Sequence, residues 1–401
     1  MKSNIVLYVS DSLRQDFVGL YNPEHIDSTP CINKFGEESI IFDNAYSPSS
    51  WTRPSLNSLL MGLYPGGLNI RSPLSPYPKN IPSLLKILKD NGYFTCIITS
   101  CPFVHLRPFL DSECDSYIYL NRKQLGKYRA VGDLIFENLK PKNLKIKQPF
   151  FVLIWNSDTH DPYFNGWEKN CKDFIPVQKL YLNKNKIPKL KELYKSKVNH
   201  TDYFFGKFIE QLKTDSIFDN SLIVFTSDHG EGFNEHGFLS HRGIVFQEMI
   251  KIPLIIKFPY TKSKGLRIKS NVSLVDLFPT ILEIGQMTSN YPVDGISLLE
   301  TVNKNDSQRI IVSECSYPYS KDNISLALIH KNYKVVYKIE STSKISGKIK
   351  YNSNKMLNNK LVFLGRGFLF RLKANSFDIR RTLGSFVNAW FRRRCWEYWL
   401  K

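Results

Sequence analysis

The segment Ser221-Leu222-Ile223-Val224-Phe225-Thr226-Ser227-Asp228-His229-Gly230-Glu231 carries the reading of this chain in miniature. An apolar, β-branched run reads as a strand, and it hands over at once to a carboxylate and an imidazole. The same arrangement recurs twice. Residues 5–10 lead into Ser10-Asp11-Ser12-Leu13-Arg14-Gln15-Asp16, and residues 151–156 lead into Asp158-Thr159-His160-Asp161-Pro162-Tyr163. Two more runs, 93–99 and 253–257, read as strands. Between them lie helical stretches at 81–90, with Pro82 near its start and an Asn91-Gly92 stop, and at about 190–212. Strands alternating with helices predict an α/β fold, a large central, mostly parallel sheet flanked by helices. In such sheets ligands bind beyond the carboxyl ends of the strands, which is where Asp11, His160, Asp228 and His229 fall.

Past Gly295 the texture changes. Residues 309–314, 325–329 and 333–339 read as short strands of a small antiparallel sheet, and 341–359, rich in Ser, Lys and Asn, reads as a long loop. The chain therefore divides into a catalytic α/β domain over 1–305, a small C-terminal α+β subdomain over 306–376, and a basic aromatic tail helix over 377–401. Charge is concentrated at that end. Residues 321–401 hold 18 Lys and Arg against four acids (Asp322, Glu340, Asp378 and Glu397), out of a net charge of +19. On a helix, Val387, Trp390, Phe391, Cys395 and Trp399 share a face, so 385–401 suits either an anionic membrane surface or lipid-linked substrate, or packing on the catalytic domain. Nothing resembles a nucleic-acid module, so no nucleic-acid partner is expected.

With 401 residues, 42% hydrophobic and 23% charged, the composition is that of a globular protein. No window approaches the roughly 20 apolar residues of a membrane span. The N-terminal apolar run is short and is followed by Asp11, Arg14 and Asp16, so it reads as a strand rather than a signal peptide. The seven scattered cysteines form no C-x-x-C pair and fit a reducing compartment. The expectation is a cytoplasmic protein, peripheral to the membrane if its tail is used there.

A fourth segment narrows the chemistry. Ser47-Pro48-Ser49-Ser50-Trp51-Thr52-Arg53-Pro54-Ser55-Leu56-Asn57-Ser58-Leu59-Leu60-Met61-Gly62 resembles the sulfatase signature, in which a nucleophile, any residue and Pro-Ser open a helix that a glycine closes. Counting from Pro54 to Gly62 puts the nucleophile position at Thr52, at a helix N-terminus that favours an alkoxide and an incoming anion. The resemblance runs in family order over about 330 residues, through 4–11, 81–95, His160-Asp161-Pro162-Tyr163, Asp202, Asp228-His229-Gly230-Glu231, Glu235-His236-Gly237, 253–256, 275–280 and 294–299. It identifies the chain as similar to the sulfatase-like branch of the alkaline phosphatase superfamily. It implies that Asp11, Thr52, Asp228 and His229 hold one divalent cation (Mn, Mg, Ca or Zn), and that His160 and His241 meet the substrate's charged group or leaving group. Arg14 and Arg53 are further candidates for binding the anion, and His236 reads as structural.

Two departures matter. Ser12 stands where sulfatases carry a second aspartate. Thr52 stands where they carry the Cys or Ser that is oxidised to formylglycine, and threonine would give a ketone instead of that aldehyde. A phosphothreonine intermediate can be resolved by in-line attack, whereas a sulfated threonine lacks the hydrate's route of release. The expected function is therefore cleavage of a phosphoester, a phosphodiester in particular, through a covalent threonine, resembling the family's threonine-using phosphodiesterases and phosphoethanolamine or phosphoglycerol transferases. Those transferases are typically membrane-anchored, and no anchor is read here. The alternatives are a sulfuric ester hydrolase working without formylglycine, and a catalytically silent anion-binding relative.

Overall fold

The computed structural model describes residues 2–70, 75–78, 80–105, 113–120, 130–139, 147–167, 184–241, 243–261, 265–304, 309–316, 323–340 and 361–362. The tail expected to be helical, 377–401, lies outside these residues, as does the 341–359 loop.

Nine strands form one sheet: β1 (Asn4–Ser10), β2 (Ile40–Tyr46), β3 (Phe94–Thr99), β4 (Ser116–Tyr119), β5 (Phe150–Asn156), β6 (Ser221–Thr226), β7 (Lys251–Ile252), β8 (Leu254–Lys257) and β9 (Leu266–Ser273). The order is β4-β3-β5-β1-β6-β8-β2-β7, with β9 paired to β2. From β4 to β6 every pairing is parallel, and β8 turns antiparallel to β6. The central strands are covered on both faces. Leu7, Leu153, Val224 and Ile97 point into one core with Leu56, Leu59, Leu88 and Phe278. Val6, Tyr8, Ile154, Phe225 and Ile98 point into the other with Tyr194, Val198 and Phe205. Full burial of each such side chain stabilises by about 1.5–3 kcal/mol, which favours apolar residues on both faces of these strands over an alternating pattern.

The helices that matter for the site are α1 (Pro30–Glu37), α2 (Thr52–Met61), α3 (Leu84–Asp90), α4 (Gly132–Leu139), α5 (Ile187–Thr214) and α6 (Leu277–Ile284). Helix α5 lies on the second core and uses Asp202 to accept the N–H groups of Cys31 and Ile32, at 3.1 and 2.7 Å, in the first turn of α1. Helix α2 ends at Gly62, which adopts φ +66° and donates its N–H to Ser58 O. A Cβ there would lie 2.8 Å from the Phe278 ring of α6, so the conformation and the space both call for glycine.

A second sheet joins β10 (Ile310–Ser316), β11 (Asn323–His330) and β12 (Tyr333–Glu340) antiparallel, with the short β13 (Leu361–Val362) parallel to β12. It packs on the large sheet's rim through Ile311, Cys315, Ala327 and Ile329 against Tyr46, Trp51, Val245 and Ile250. Ahead of β10, Arg309 forms a bidentate pair with the buried Asp276, at 2.5 and 2.7 Å. The fold is thus the expected one, a mostly parallel central sheet flanked by helices with a small C-terminal antiparallel sheet. Among the described residues no helix is long and apolar enough to cross a membrane. The described cysteines 31, 96, 101, 114 and 315 form no disulfide.

Candidate active site

Three adjacent strands end together. In the order β5-β1-β6, Ser10 pairs with Asn156 and Val9 with Thr226, so the residues that follow share one edge of the sheet. Asp11 sits in the middle, the 157–163 loop on one side and Ser227-Asp228-His229 on the other. The start of α2 arrives over this edge because Ser47 and Ser55 both donate their hydroxyls to the Asp228 carbonyl, Ser55 at 2.7 Å. That bracket places Thr52, the first residue of α2, with Oγ1 3.2 Å from His229 Nε2.

One ligand atom each from Asp11, Asp228 and His229 lies within 4.8 Å of the others, and all three residues are buried. His229 donates Nδ1–H to Gly230 O at 2.8 Å, which leaves the Nε2 lone pair facing the carboxylates. Burial and the nearby His241 hold the His229 pKa well below its usual value, so the imidazole is neutral and able to ligate. Burial also opposes ionisation of Asp11, but the neighbouring histidine charge, that of His160 foremost, outweighs it and pulls its pKa down. Burial and the Asp11 charge drive Asp228 well above the ordinary carboxylate range. No Lys or Arg among the described residues pairs with either buried carboxylate; the ion contacts of both are to His229, and the charged His160 acts on Asp11 from the flank. Asp228 Oδ2 also has no hydrogen-bond donor of ordinary geometry, its near neighbour being His229 Nε2 at 3.2 Å. A divalent cation fits this set of two oxygens and one nitrogen, and it would remove the repulsion that raises the Asp228 pKa.

Ser12, in place of a second aspartate, adopts φ 64° and turns its groups inward. Its hydroxyl donates to Asp11 Oδ1 and its N–H to Asp228 Oδ1, both at 3.0 Å. Trp155 Nε1–H reaches Asp11 Oδ2 at 3.4 Å.

Two more histidines close the group. The His160 and His241 rings lie 4.9 Å apart, and His241 stands 4.4 Å from His229. His160 Nδ1 contacts Asp161 O at 2.8 Å and Asp161 Oδ1 at 3.0 Å. Burial works against charging His160, but the Asp161 and Asp11 carboxylates prevail and push its pKa up to about 10. The same loop is tied down by Lys197 of α5, which donates to the carbonyls of His160 and Pro162.

The two arginines fare differently. Arg53 follows Thr52, donates to Ser75 O, keeps a buried Nε without a partner, and is held below its usual pKa by burial. Arg14 does not join the group as a free cation. Its guanidinium is spent on Asp16, on Glu235 at 2.7 Å and on Glu231 O at 3.2 Å, between the rings of Phe17 and Phe233. In this structure Arg14 joins the Asp11 loop to the 231–241 loop. His236 rests on Phe246 and near Glu248, consistent with a structural place.

Residues 3–287 match the family described as Sulfatase, and 234–341 match the N-sulphoglucosamine sulphohydrolase C-terminal family. The chain belongs to the sulfatase family. It is similar to an ulvan-active sulfatase of Formosa agariphila (24% identity over 77% of this chain and 66% of that one). It is similar too to an arylsulfatase of Clostridium perfringens (23% identity, 77% and 80%). It spans about two thirds of the first relative's length and four fifths of the second's. Among solved structures it resembles a phosphonate monoester hydrolase of Agrobacterium radiobacter (TM-score 0.70, 15% identity, 84% of this chain and 87% of that one). A 2-O GAG sulfatase is as close in fold (TM-score 0.70, 18% identity, 85% and 83%). By family, then, this sulfatase-like chain of the alkaline phosphatase superfamily is an enzyme of sulfo- or phospho-ester bonds.

Proposed function

We propose that this sulfatase-family chain hydrolyses phosphoesters, phosphodiesters or phosphonate monoesters foremost, with Thr52 as nucleophile. The observation that carries the reading is the Thr52 hydroxyl at the start of a buried helix, 3.2 Å from His229 Nε2 and beside Asp11 and Asp228. Asp11, Asp228, His229 and Thr52 would hold one divalent cation. When bound, that cation supplies charge neutralisation at the transferring group and lowers the pKa of the attacking hydroxyl.

Thr52 Oγ1, as an alkoxide that has given its proton to solvent, attacks phosphorus in line, the bond to the leaving alcohol breaks, and an imidazolium of His160 or His241 gives that oxygen its proton; the second step releases Thr52 as the alkoxide again. Water then attacks the phosphothreonine, its proton passing to the imidazole freed in the first step. The products are an alcohol and a phosphate or phosphonate, and Thr52 is regenerated. Arg53, beside the nucleophile and without a carboxylate partner among the described residues, binds the anionic oxygens. The substrate is accordingly an anionic ester.

The sulfated esters named for several relatives favour a second reading, sulfate ester hydrolysis. One solved relative of this fold holds D-glucosamine-2-N,6-O-disulfate. The protein loaded with Mn or another divalent ion should cleave bis(4-nitrophenyl) phosphate or a 4-nitrophenyl phosphonate faster than 4-nitrophenyl sulfate. Thr52→Ala should lower that rate roughly a thousandfold or more, and Asp11→Asn should lose bound metal in elemental analysis. Faster sulfate cleavage would favour the second reading, and metal binding without turnover of any ester would mark a silent relative.

A further inference from the structure

Among the described residues His241 is the one site histidine whose side chain is held by a side chain outside the cluster itself and from another turn of the chain. Its Nδ1 lies 3.2 Å from both Oε1 and Oε2 of Glu231. Glu231 is fully buried and is itself fixed twice more: Tyr163 donates its hydroxyl to Oε2, and Gly232 N–H donates to Oε1 at 3.0 Å. Tyr163 belongs to the His160 loop, so the carboxylate joins the loops that carry the two flanking histidines. A backbone that admits no side chain sets this geometry. A Cβ on Gly230 would fall 1.9 Å from Glu248 O, and one on Gly232 2.8 Å from Ser240 O. The chain between His229 and Glu231 is thereby pressed against the helical turn Gln247–Ile250, where Gly230 N–H and Glu231 N–H bond Met249 O and Glu248 O at 2.8 and 3.2 Å.

With Nδ1 committed to Glu231, Nε2 is the one nitrogen of His241 that can meet a substrate, and the ring stands between those of His160 and His229. We infer that Glu231 is a positioning residue that fixes His241 as the acid for the leaving group, and so determines how poor a leaving group the enzyme tolerates. This rests on the phosphoester reading above. In the first step the P–O bond to the leaving oxygen breaks as His241 Nε2–H passes its proton to that oxygen, while the Nδ1 proton stays in the bond to Glu231. In the second step Nε2 takes a proton from the attacking water. A carboxylate that orients an imidazole and fixes its tautomer is a recurrent device where a histidine must offer one nitrogen reliably.

The test compares leaving groups. 4-Nitrophenolate departs without a proton, whereas an alkoxide does not, so losing an oriented acid penalises alkyl esters selectively. Glu231→Gln should lower kcat on a 4-nitrophenyl phosphodiester less than about tenfold, and on the matching methyl ester by about a hundredfold or more. His241→Gln should show the same selectivity, and the double variant should lose no more than the worse single one. Tyr163→Phe, which keeps the carboxylate, should show a weaker form of it. Equal losses on both esters would overturn the inference, because a collapsed loop does not discriminate between leaving groups. A readout independent of turnover is the nitrogen NMR of the His241 ring. Neutral His241 should carry its proton on Nδ1, and Glu231→Gln should move population to the Nε2–H tautomer; an unchanged tautomer would overturn the inference. A wild-type protein that cleaves neither phosphodiester would defeat the phosphoester reading, with the tautomer shift still deciding the role of Glu231.

Discussion

At the scale of single residues the site is a balance of buried charges. Two carboxylates and three imidazoles share one edge of the sheet, and their positions assign different protonation states to chemically identical groups. His229 is kept neutral by burial and by His241, while His160 is kept charged by Asp161 and Asp11 against the same burial. Charged His160 is placed to bind the anionic ester beside the acid His241, so affinity for inorganic phosphate should fall as His160 loses its proton near its pKa of about 10. Asp161→Asn removes the largest contribution holding that proton, so the alkaline fall in phosphate affinity should move toward neutrality. A phosphate-binding profile unchanged by Asp161→Asn would contradict this role for the pair. The sequence pointed to the residues that end strands, because Asp11, Asp228, His229 and His160 each follow an apolar run. It gave no role to Glu231 or Tyr163, although both lie in the segments quoted for the family. Their importance lies in contacts across 68 residues of chain, which no local pattern displays.

At the scale of elements, uninterrupted apolar strands were legible, and short strands or strands broken by polar residues were not. Strands β1, β3, β5, β6 and β8 lie within a residue of their expected bounds, because each is a run of apolar residues between turn signals. Strands β2, β4, β7 and β9 were missed. Asp43-Asn44 interrupts the apolar run of β2, and Arg267 and Lys269 break up the start of β9. Helix α5 extends to Ile187–Thr214, beyond the expected 190–212, since its Pro188 sits in the first turn where a missing N–H costs nothing. The nucleophile helix depends on its terminator. Gly62→Ala combines a left-handed conformation with a 2.8 Å approach to Phe278, so it should destabilise by about 2 kcal/mol or more. Chemical unfolding would measure this. A stability within about 0.5 kcal/mol of wild type, the range of ordinary surface changes, would show that α2 does not need that cap.

At the scale of the whole molecule, an apolar contact, the Arg309–Asp276 ion pair and hydrogen bonds such as Ser325 hydroxyl to Gly243 O at 3.0 Å join the small sheet to the large one among the described residues. Arg309 neutralises Asp276, whose oxygens also accept the N–H groups of Ser273 and Ile296 at 2.8 and 3.0 Å. Arg309→Met would leave a buried carboxylate uncompensated, at a cost of about 3 kcal/mol or more. Adding Asp276→Asn should recover part of that loss, and no recovery in urea unfolding would mean the pair is not the fastening. The division at 305/306 follows this seam as a proposal, with the boundary placed where the large domain's last helix (Leu298–Lys304) ends. What unites these scales is the claim that Thr52 is the group transiently esterified. Rapid quenching of the metal-loaded enzyme during turnover of a phosphodiester, followed by peptide mass spectrometry, tests it most directly. A phosphoryl ester adduct should appear on the peptide containing Thr52 and be absent from Thr52→Ala. Wild-type turnover by Thr52→Ala, or an adduct on another residue with Thr52 unmodified, would contradict the account.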